Sequence, residues 1–394
     1  MRSPKAVIGF VFVAILLGAA AAGGTYVTMM LRQRQVDKDV QLTRGLIDQG
    51  EYEQAKALIQ ARLDGGRGGE SWYATFLAFQ LDIHRGQGET EAAIKTAKML
   101  LDPENGYEGE PVLEAHAYLG EAALESEDTK TAKTHYDAIL AESGPDGVGA
   151  DIARLGLVRI QMADVGVGPQ IREELESLIH LFPDSDVRED VEYVLGQCNM
   201  AMLYSPIPMG DDQIYSIRSG DTLSALGRKN NVSADFLMRV NSIPDARRLS
   251  IGKRIKIPKV DFSIEVDKTN NTLTLLNHGR FFKRYRVRTG AVDYMTPVGE
   301  YKVQSRKKNP QWTDPKTLKT YRGGHPENEL GSRWIGFQEP GLGLHGTIHP
   351  ETLGAYASNG CVGMLMQDIE ELFDLVRVGT PLKITGRIQT EPHS

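Results

Sequence analysis

The sequence predicts a multidomain chain: an apolar N-terminal helix, an α-helical repeat array, a small βααβ module and a mostly-β C-terminal domain. Three observations carry that reading. An uncharged run from Ala6 to Leu31 is long enough to cross a bilayer core as a helix. Apolar positions then recur at helical spacing as far as about residue 204 and alternate like strands from Phe262 onward. Between the two patterns, Ser205 to Asp212 holds two prolines and a glycine, which break a helix as a linker would.

Composition bounds the answer. A chain of 394 residues is too long for one ordinary domain, and 41% apolar with 25% charged residues is the balance of a folded protein. The net charge of -7 argues against a nucleic-acid partner, which calls for a basic stripe. Two cysteines, Cys198 and Cys361, exclude a disulfide framework and a zinc site of the paired-cysteine kind. A single bridge between them stays open for an oxidising compartment, although they fall in separate predicted domains.

Residues 1–35 read as a signal anchor. Arg2 and Lys5 precede the apolar run and Arg32 and Arg34 follow it, so charge alone orients it weakly. A cleaved signal peptide is the alternative, with the small residues Gly18 to Gly24 offering the site. The run continues through Tyr26 to Leu31, which favours an uncleaved anchor in the membrane.

Residues 36–204 repeat a frame. GEYEQA places Gly50 five residues before Ala55, and GETEAA places Gly88 before Ala93. Glu127 with Ala132 repeats it without the glycine, and Gly166 with Ile171 repeats it weakly. Glycine suits a tight inter-helix turn and alanine suits close helix packing. The region resembles degenerate tetratricopeptide repeats, with an irregular helical bundle as the alternative. Such arrays present a groove to a protein partner or act as spacers. Cys198, on the last helix, reads as a small buried apolar residue.

Residues 213–259 form the small module. Tyr215 to Ile217 reads as a strand, and Thr222 caps a helix from Leu223 to Lys229. A second helix opens near Val232 and ends near Asn241, and Ile255 to Pro258 closes as a second strand. The frame Y-x-I-x-x-G-D-T-L, N-V-S-x-x-x-L-x-x-x-N, I-G-K-x-I-x-I-P resembles a LysM module over its whole length. That resemblance implies binding of peptidoglycan glycan strands.

Residues 260–386 alternate, with strands at Ser263–Val266, Thr272–Leu276, Arg284–Val287 and Tyr301–Val303, and one late helix from Gln367 to Val376. A tail of 387–394 follows. Arg306 to Asn328 reads as a loop over a cleft, with Trp312 and Tyr321 as candidates to line it. Within LHGTIHPETLGAYASNGCVGM, His345 precedes Cys361 in Ser358-Asn359-Gly360-Cys361. Acyl transfer by a thiol needs a thiolate, a neighbouring base and donors aimed at the developing oxyanion. His345 suits the base and later the acid; the backbone N–H groups of Gly360 and Cys361 suit the donors, with Asn359 as a further candidate. The Gly346 carbonyl can orient the imidazole in place of a carboxylate. Residue types alone favour a structural Cys and His, since most such pairs are structural and His349 lies just as near.

The ordered signatures narrow the choice. TPVGEY from Thr296, Asn309-Pro310, LGSRWIG from Leu330, H-G-T at His345, S-x-G-C at Ser358 and VGTPLKI from Val378 resemble an L,D-transpeptidase catalytic domain of the YkuD type. The resemblance implies that Cys361 attacks a peptidoglycan stem tetrapeptide after its diamino acid and releases D-alanine. The acyl group then passes to an amine of a second stem as a 3→3 cross-link, or to a related acceptor. It implies carbapenem sensitivity and no metal or nucleotide cofactor, and it expects Ser358, Thr347, Arg333 and Trp312 to bind substrate. It also places these domains in the cell envelope, outside the cytoplasmic membrane. Gly363 departs from the pattern, because many members carry arginine there; Arg333 is the expected substitute. An L,D-carboxypeptidase and a catalytically weak wall-binding scaffold are the other readings.

Overall fold

The structure is a computed structural model that describes residues 29–65, 70–247, 249–315, 317–338 and 341–388. The expected membrane anchor lies almost wholly outside the described residues. Among those described, no helix is long and apolar enough to cross a membrane. The chain divides into two compact units, the first ending at Ile160 and the second starting at Gln161.

The first unit is helical. Helix α1 runs through residues 29–48, followed by α2 (Tyr52–Gly65), α3 (Ser71–Gly86), α4 (Thr90–Leu100), α5 (Glu110–Glu125), α6 (Thr129–Ser143) and most of α7 (Ala150–Val165). The repeated frame marks its turns. Gly50, Gly88 and Glu127 all take positive φ, at 73°, 70° and 61°. Each turn closes with the same backward bond from the next residue: Glu51 N to Leu46 O, Glu89 N to His84 O and Asp128 N to Ala123 O, at 2.8–2.9 Å. Ala55, Ala93 and Ala132, five residues after each turn residue, are fully buried. The third frame thus keeps its turn geometry without glycine, at a left-handed cost of roughly 1–2 kcal/mol. The fourth frame differs: Gly166 also has positive φ, but its N–H bonds to Met162 O.

Close packing inside this unit centres on Tyr136 of α6, which is buried between Gly120 of α5 and Gly156 of α7. A Cβ at Gly156 would fall 2.2 Å from the Tyr136 ring. Gly156→Val is therefore expected to destabilise the first unit by about 1–3 kcal/mol, the usual cost of overpacking. Denaturant unfolding followed by helical circular dichroism checks it, and an unchanged midpoint contradicts this packing.

The second unit begins with α8 (Pro169–Leu181) and α9 (Arg188–Leu203). The small module follows as β1 (Gln213–Ser216), α10 (Leu223–Lys229), α11 (Ala234–Val240) and β2 (Arg254–Ile257), with β1 and β2 antiparallel. Thr222 and Ser233 accept from the N–H groups of Ala225 and Phe236 and cap its two helices. Ser205 to Asp212 is irregular, as its prolines dictate, yet it is tied down. The buried Lys256 ammonium donates to Met202 O (2.8 Å) and Ile207 O (2.9 Å) and faces Asp212 (3.7 Å).

The C-terminal strands are β3 (Phe262–Asp267), β4 (Thr272–Asn277), β5 (Arg280–Gly290), β6 (Gly299–Lys302), β7 (Ser305–Lys308), β8 (Trp312–Thr313), β9 (Thr320–Tyr321), β10 (Arg333–Gln338), β11 (Leu342–Gly346), β12 (Tyr356–Ser358), β13 (Val362–Met364) and β14 (Pro381–Thr385). Ten of them form one sheet in the order β6-β14-β3-β4-β5-β13-β11-β10-β7, with β12 beside β5. The late helix, α12 (Met366–Leu375), buries Ile369, Leu372 and Phe373 in one core with Ile335, Leu344 and Met364 of the sheet. Helix α9 packs on β5, where Asn199 donates to Phe282 O (2.9 Å) and Glu192 pairs with Arg284. Cys198 is 0% exposed with its thiol against Met202 Sδ, as a small apolar residue would be.

Part of the expected loop from Arg306 to Asn328 is ordered structure. Arg306 lies in β7, opposite Ile335 of β10, with its guanidinium 4.0 Å from the Phe373 ring centre. Strands β8 and β9 pair as a short hairpin. Its base is held by Asn328, which donates to Pro310 O (2.8 Å) and Arg322 O (3.2 Å).

Candidate active site

Strand alternation builds the site. Side chains directly opposite on neighbouring strands share a face, and successive residues along a strand switch faces. Trp334 of β10 faces His345 of β11, His345 faces Gly363 of β13, and Gly363 faces Arg288 of β5. These four positions form one row across four strands, on the sheet face opposite α12. Cys361, two residues before Gly363, belongs to the same side. Together with Tyr294, Trp312, Glu329, Gly341, Ser358 and Asn359, the side chains of this row line a cleft of about 660 Å³.

His345 is buried and stacks on Trp334, with ring centres 6.2 Å apart. Its Nδ1 lies 2.8 Å from the Gly346 carbonyl, which can only accept, so Nδ1 carries the hydrogen and the Nε2 lone pair is left for a base. Its pKa is lowered to about 4, chiefly by burial and also by the Arg288 charge, against the raising effect of the Gly346 carbonyl. The ring is neutral at neutral pH.

The Cys361 thiol is half-buried and lies 3.6 Å from the Gly341 carbonyl. Burial pushes its pKa up, while the Gly343 N–H and the Arg288 charge work the other way. The resting pair is therefore thiol and imidazole rather than thiolate and imidazolium. Such a nucleophile needs base assistance as it attacks. Gly360, with φ of 97°, turns the chain into Cys361, and the Ser358 hydroxyl closes that turn by donating to the Cys361 carbonyl.

Not every expected residue reaches the cleft. Arg333 does not. It neighbours Trp334 along β10, so alternation points it to the α12 face, where it lies over Phe373 (5.5 Å) and 3.6 Å from Glu370. Thr347 does not either: it is buried past the end of β11, with its N–H on Met364 O and its Oγ accepting from His349 N. Trp312 lines the cleft. Tyr321 stacks behind it at 5.5 Å and supports the hairpin instead.

Arg288, Trp334, Tyr294 and Glu329 line the cleft without having been singled out from sequence. The available signal was weak: Arg288 sits in an alternating strand, RYRVRTG, and only sheet register shows that it lies opposite Gly363.

Residues 261–384 match the family model of the YkuD L,D-transpeptidase catalytic domain, and residues 215–258 match that of the LysM domain. Two Bacillus subtilis proteins provisionally named as L,D-transpeptidases are similar. YqjB is 38% identical over 125 residues, 30% of this chain and 69% of that protein. YkuD is 30% identical over 176 residues, 43% of this chain and 97% of that protein. A solved L,D-transpeptidase from Mycobacterium smegmatis shares 17% identity over 34% of this chain and 64% of that one, just under two thirds of it, with a TM-score of 0.28.

Proposed function

This chain belongs to the YkuD-type L,D-transpeptidase family, and from that premise we propose that Cys361 and His345 carry out peptidoglycan transpeptidation in the cleft between β5 and β10. The carrying observation is His345, held through Nδ1 by the Gly346 carbonyl in one cleft with the Cys361 thiol.

In the proposed sequence the His345 Nε2 takes the thiol proton as Sγ attacks the carbonyl of the third residue of a stem tetrapeptide. The N–H groups of Gly360 and Cys361 face the oxyanion. The imidazolium gives its proton to the departing D-alanine nitrogen, leaving a thioester on Cys361. A side-chain amine of a second stem then attacks, His345 removes its proton, and the new amide closes a 3→3 link while the thiol is restored. If water takes the amine's place, the same steps give an L,D-carboxypeptidase.

The LysM module would hold the glycan strands of the wall on which the catalytic domain acts. An N-terminal anchor and a tetratricopeptide-like spacer or docking array complete the proposal, which puts the cleft outside the cytoplasmic membrane and within reach of the wall. A carbapenem supplies a strained carbonyl that acylates such a thiol. Intact mass of the wild-type chain after carbapenem treatment should show one adduct, mapped to the Cys361 peptide. A chain that never forms it is a wall-binding scaffold.

A further inference from the structure

Gly363 leaves the cleft without the arginine that the family resemblance leads one to expect beside the nucleophile, and the sheet shows what fills the space. A Cβ at Gly363 would fall 2.5 Å from Arg288 Nε and 2.7 Å from its Cγ, so the Arg288 stem lies across the position that a side chain there would occupy. The residue is only 5% exposed, yet its guanidinium lines the cleft with His345 and Cys361. Its Nη1 donates to Thr352 Oγ1 at 3.2 Å, and its Nη2 reaches Glu329 at 3.5 Å, long for a charged pair. Glu329 is shared, since its other oxygen lies 3.5 Å from His349 Nε2. The buried Nε has no hydrogen-bond partner among the described residues. A buried guanidinium whose one carboxylate is distant and at the cleft rim is under-neutralised.

We infer that Arg288, reaching over Gly363 from the neighbouring strand, binds the C-terminal carboxylate of the residue that leaves when Cys361 is acylated. The inference rests on the transpeptidase reading above. In a tetrapeptide that loses its last residue, this carboxylate is separated from the scissile nitrogen by one carbon, so a cation in the same row as His345 is within its reach. A planar fork matches a carboxylate with two parallel N–H bonds, which would fix the donor stem in register with Sγ. The enzyme would then select stems ending one residue after the diamino acid, because a longer stem moves its charge away.

The test compares kcat/KM of the full chain on a stem tetrapeptide and on the same peptide with a C-terminal carboxamide. Wild type should prefer the carboxylate by on the order of 10- to 100-fold, the range for losing a charged hydrogen bond. Because the Arg288 charge also acts on His345 and Cys361, the readout is the ratio of the two substrates: Arg288→Ala should bring the carboxylate-to-carboxamide ratio of kcat/KM down to about one, whatever common factor changes both rates. Arg288→Lys should keep part of the preference, and Arg288→Ala with Gly363→Arg should restore it. Wild type treating both peptides alike overturns the inference, as does Arg288→Ala keeping the wild-type ratio. The wild-type comparison needs no variant, so misfolding of Arg288→Ala cannot shield the inference. If wild type turns over neither peptide, the transpeptidase reading itself fails and takes the inference with it.

Discussion

His345→Gln is expected to slow acylation of Cys361 by about 10²- to 10⁴-fold, the usual contribution of a positioned base. The geometry makes the size of the loss specific. The thiol is held protonated by burial, so little thiolate exists at neutral pH to react unaided. The Gly346 carbonyl fixes the imidazole tautomer with its lone pair on Nε2, and stacking on Trp334 fixes its plane. Glutamine preserves much of the volume but cannot accept and return a proton.

The same pairing predicts a displaced pH profile. The base works only when neutral, and its pKa is lowered from the ordinary imidazole value to about 4. Activity should therefore hold as pH falls through 6.5 and drop only as it approaches about 4. The alkaline side should rise rather than fall until the thiol, raised by burial, ionises. Rates of carbapenem acylation measured across pH for the wild-type chain check this. An acid limb near 6.5 would show that the ring titrates as if exposed.

Cys361→Ala is expected to abolish acyl-enzyme formation and all turnover, to the limit of detection. The second thiol, Cys198, is fully buried on α9 with its pKa raised by burial, so it cannot take over the role. The substitution removes one atom from a half-buried site, so thermal stability should change little. Unchanged unfolding with no adduct separates loss of chemistry from loss of fold. An adduct persisting in Cys361→Ala would place the nucleophile elsewhere.

The architecture was legible where one period dominated. Alternation located β3, β4 and the middle of β5, and the expected late helix is α12 shifted by a single residue. The juxtaposition of His345, Gly346 and Cys361 was also legible, because an ordered set of signatures spans the domain. What alternation along one strand cannot give is the neighbour on the next. Arg333 was expected to supply the missing charge from a neighbouring strand, but it precedes Trp334 on β10, and alternation turns it to the opposite face. Arg288 was passed over because its tie to Gly363 is a register between β5 and β13, which are distant in sequence. The third repeat turn was legible without its glycine: spacing gave the frame of Glu127 with Ala132, and Glu127 takes the positive φ that Gly50 and Gly88 take.

The central claim is that Cys361 passes a stem peptide to an amine. It is tested most directly by incubating the full chain with purified tetrapeptide muropeptides and determining the masses and linkage of the products. The account predicts dimers joined through a 3→3 link, with one D-alanine released per dimer and none formed by Cys361→Ala. Tetrapeptides returned unchanged, or tripeptides alone, would contradict it.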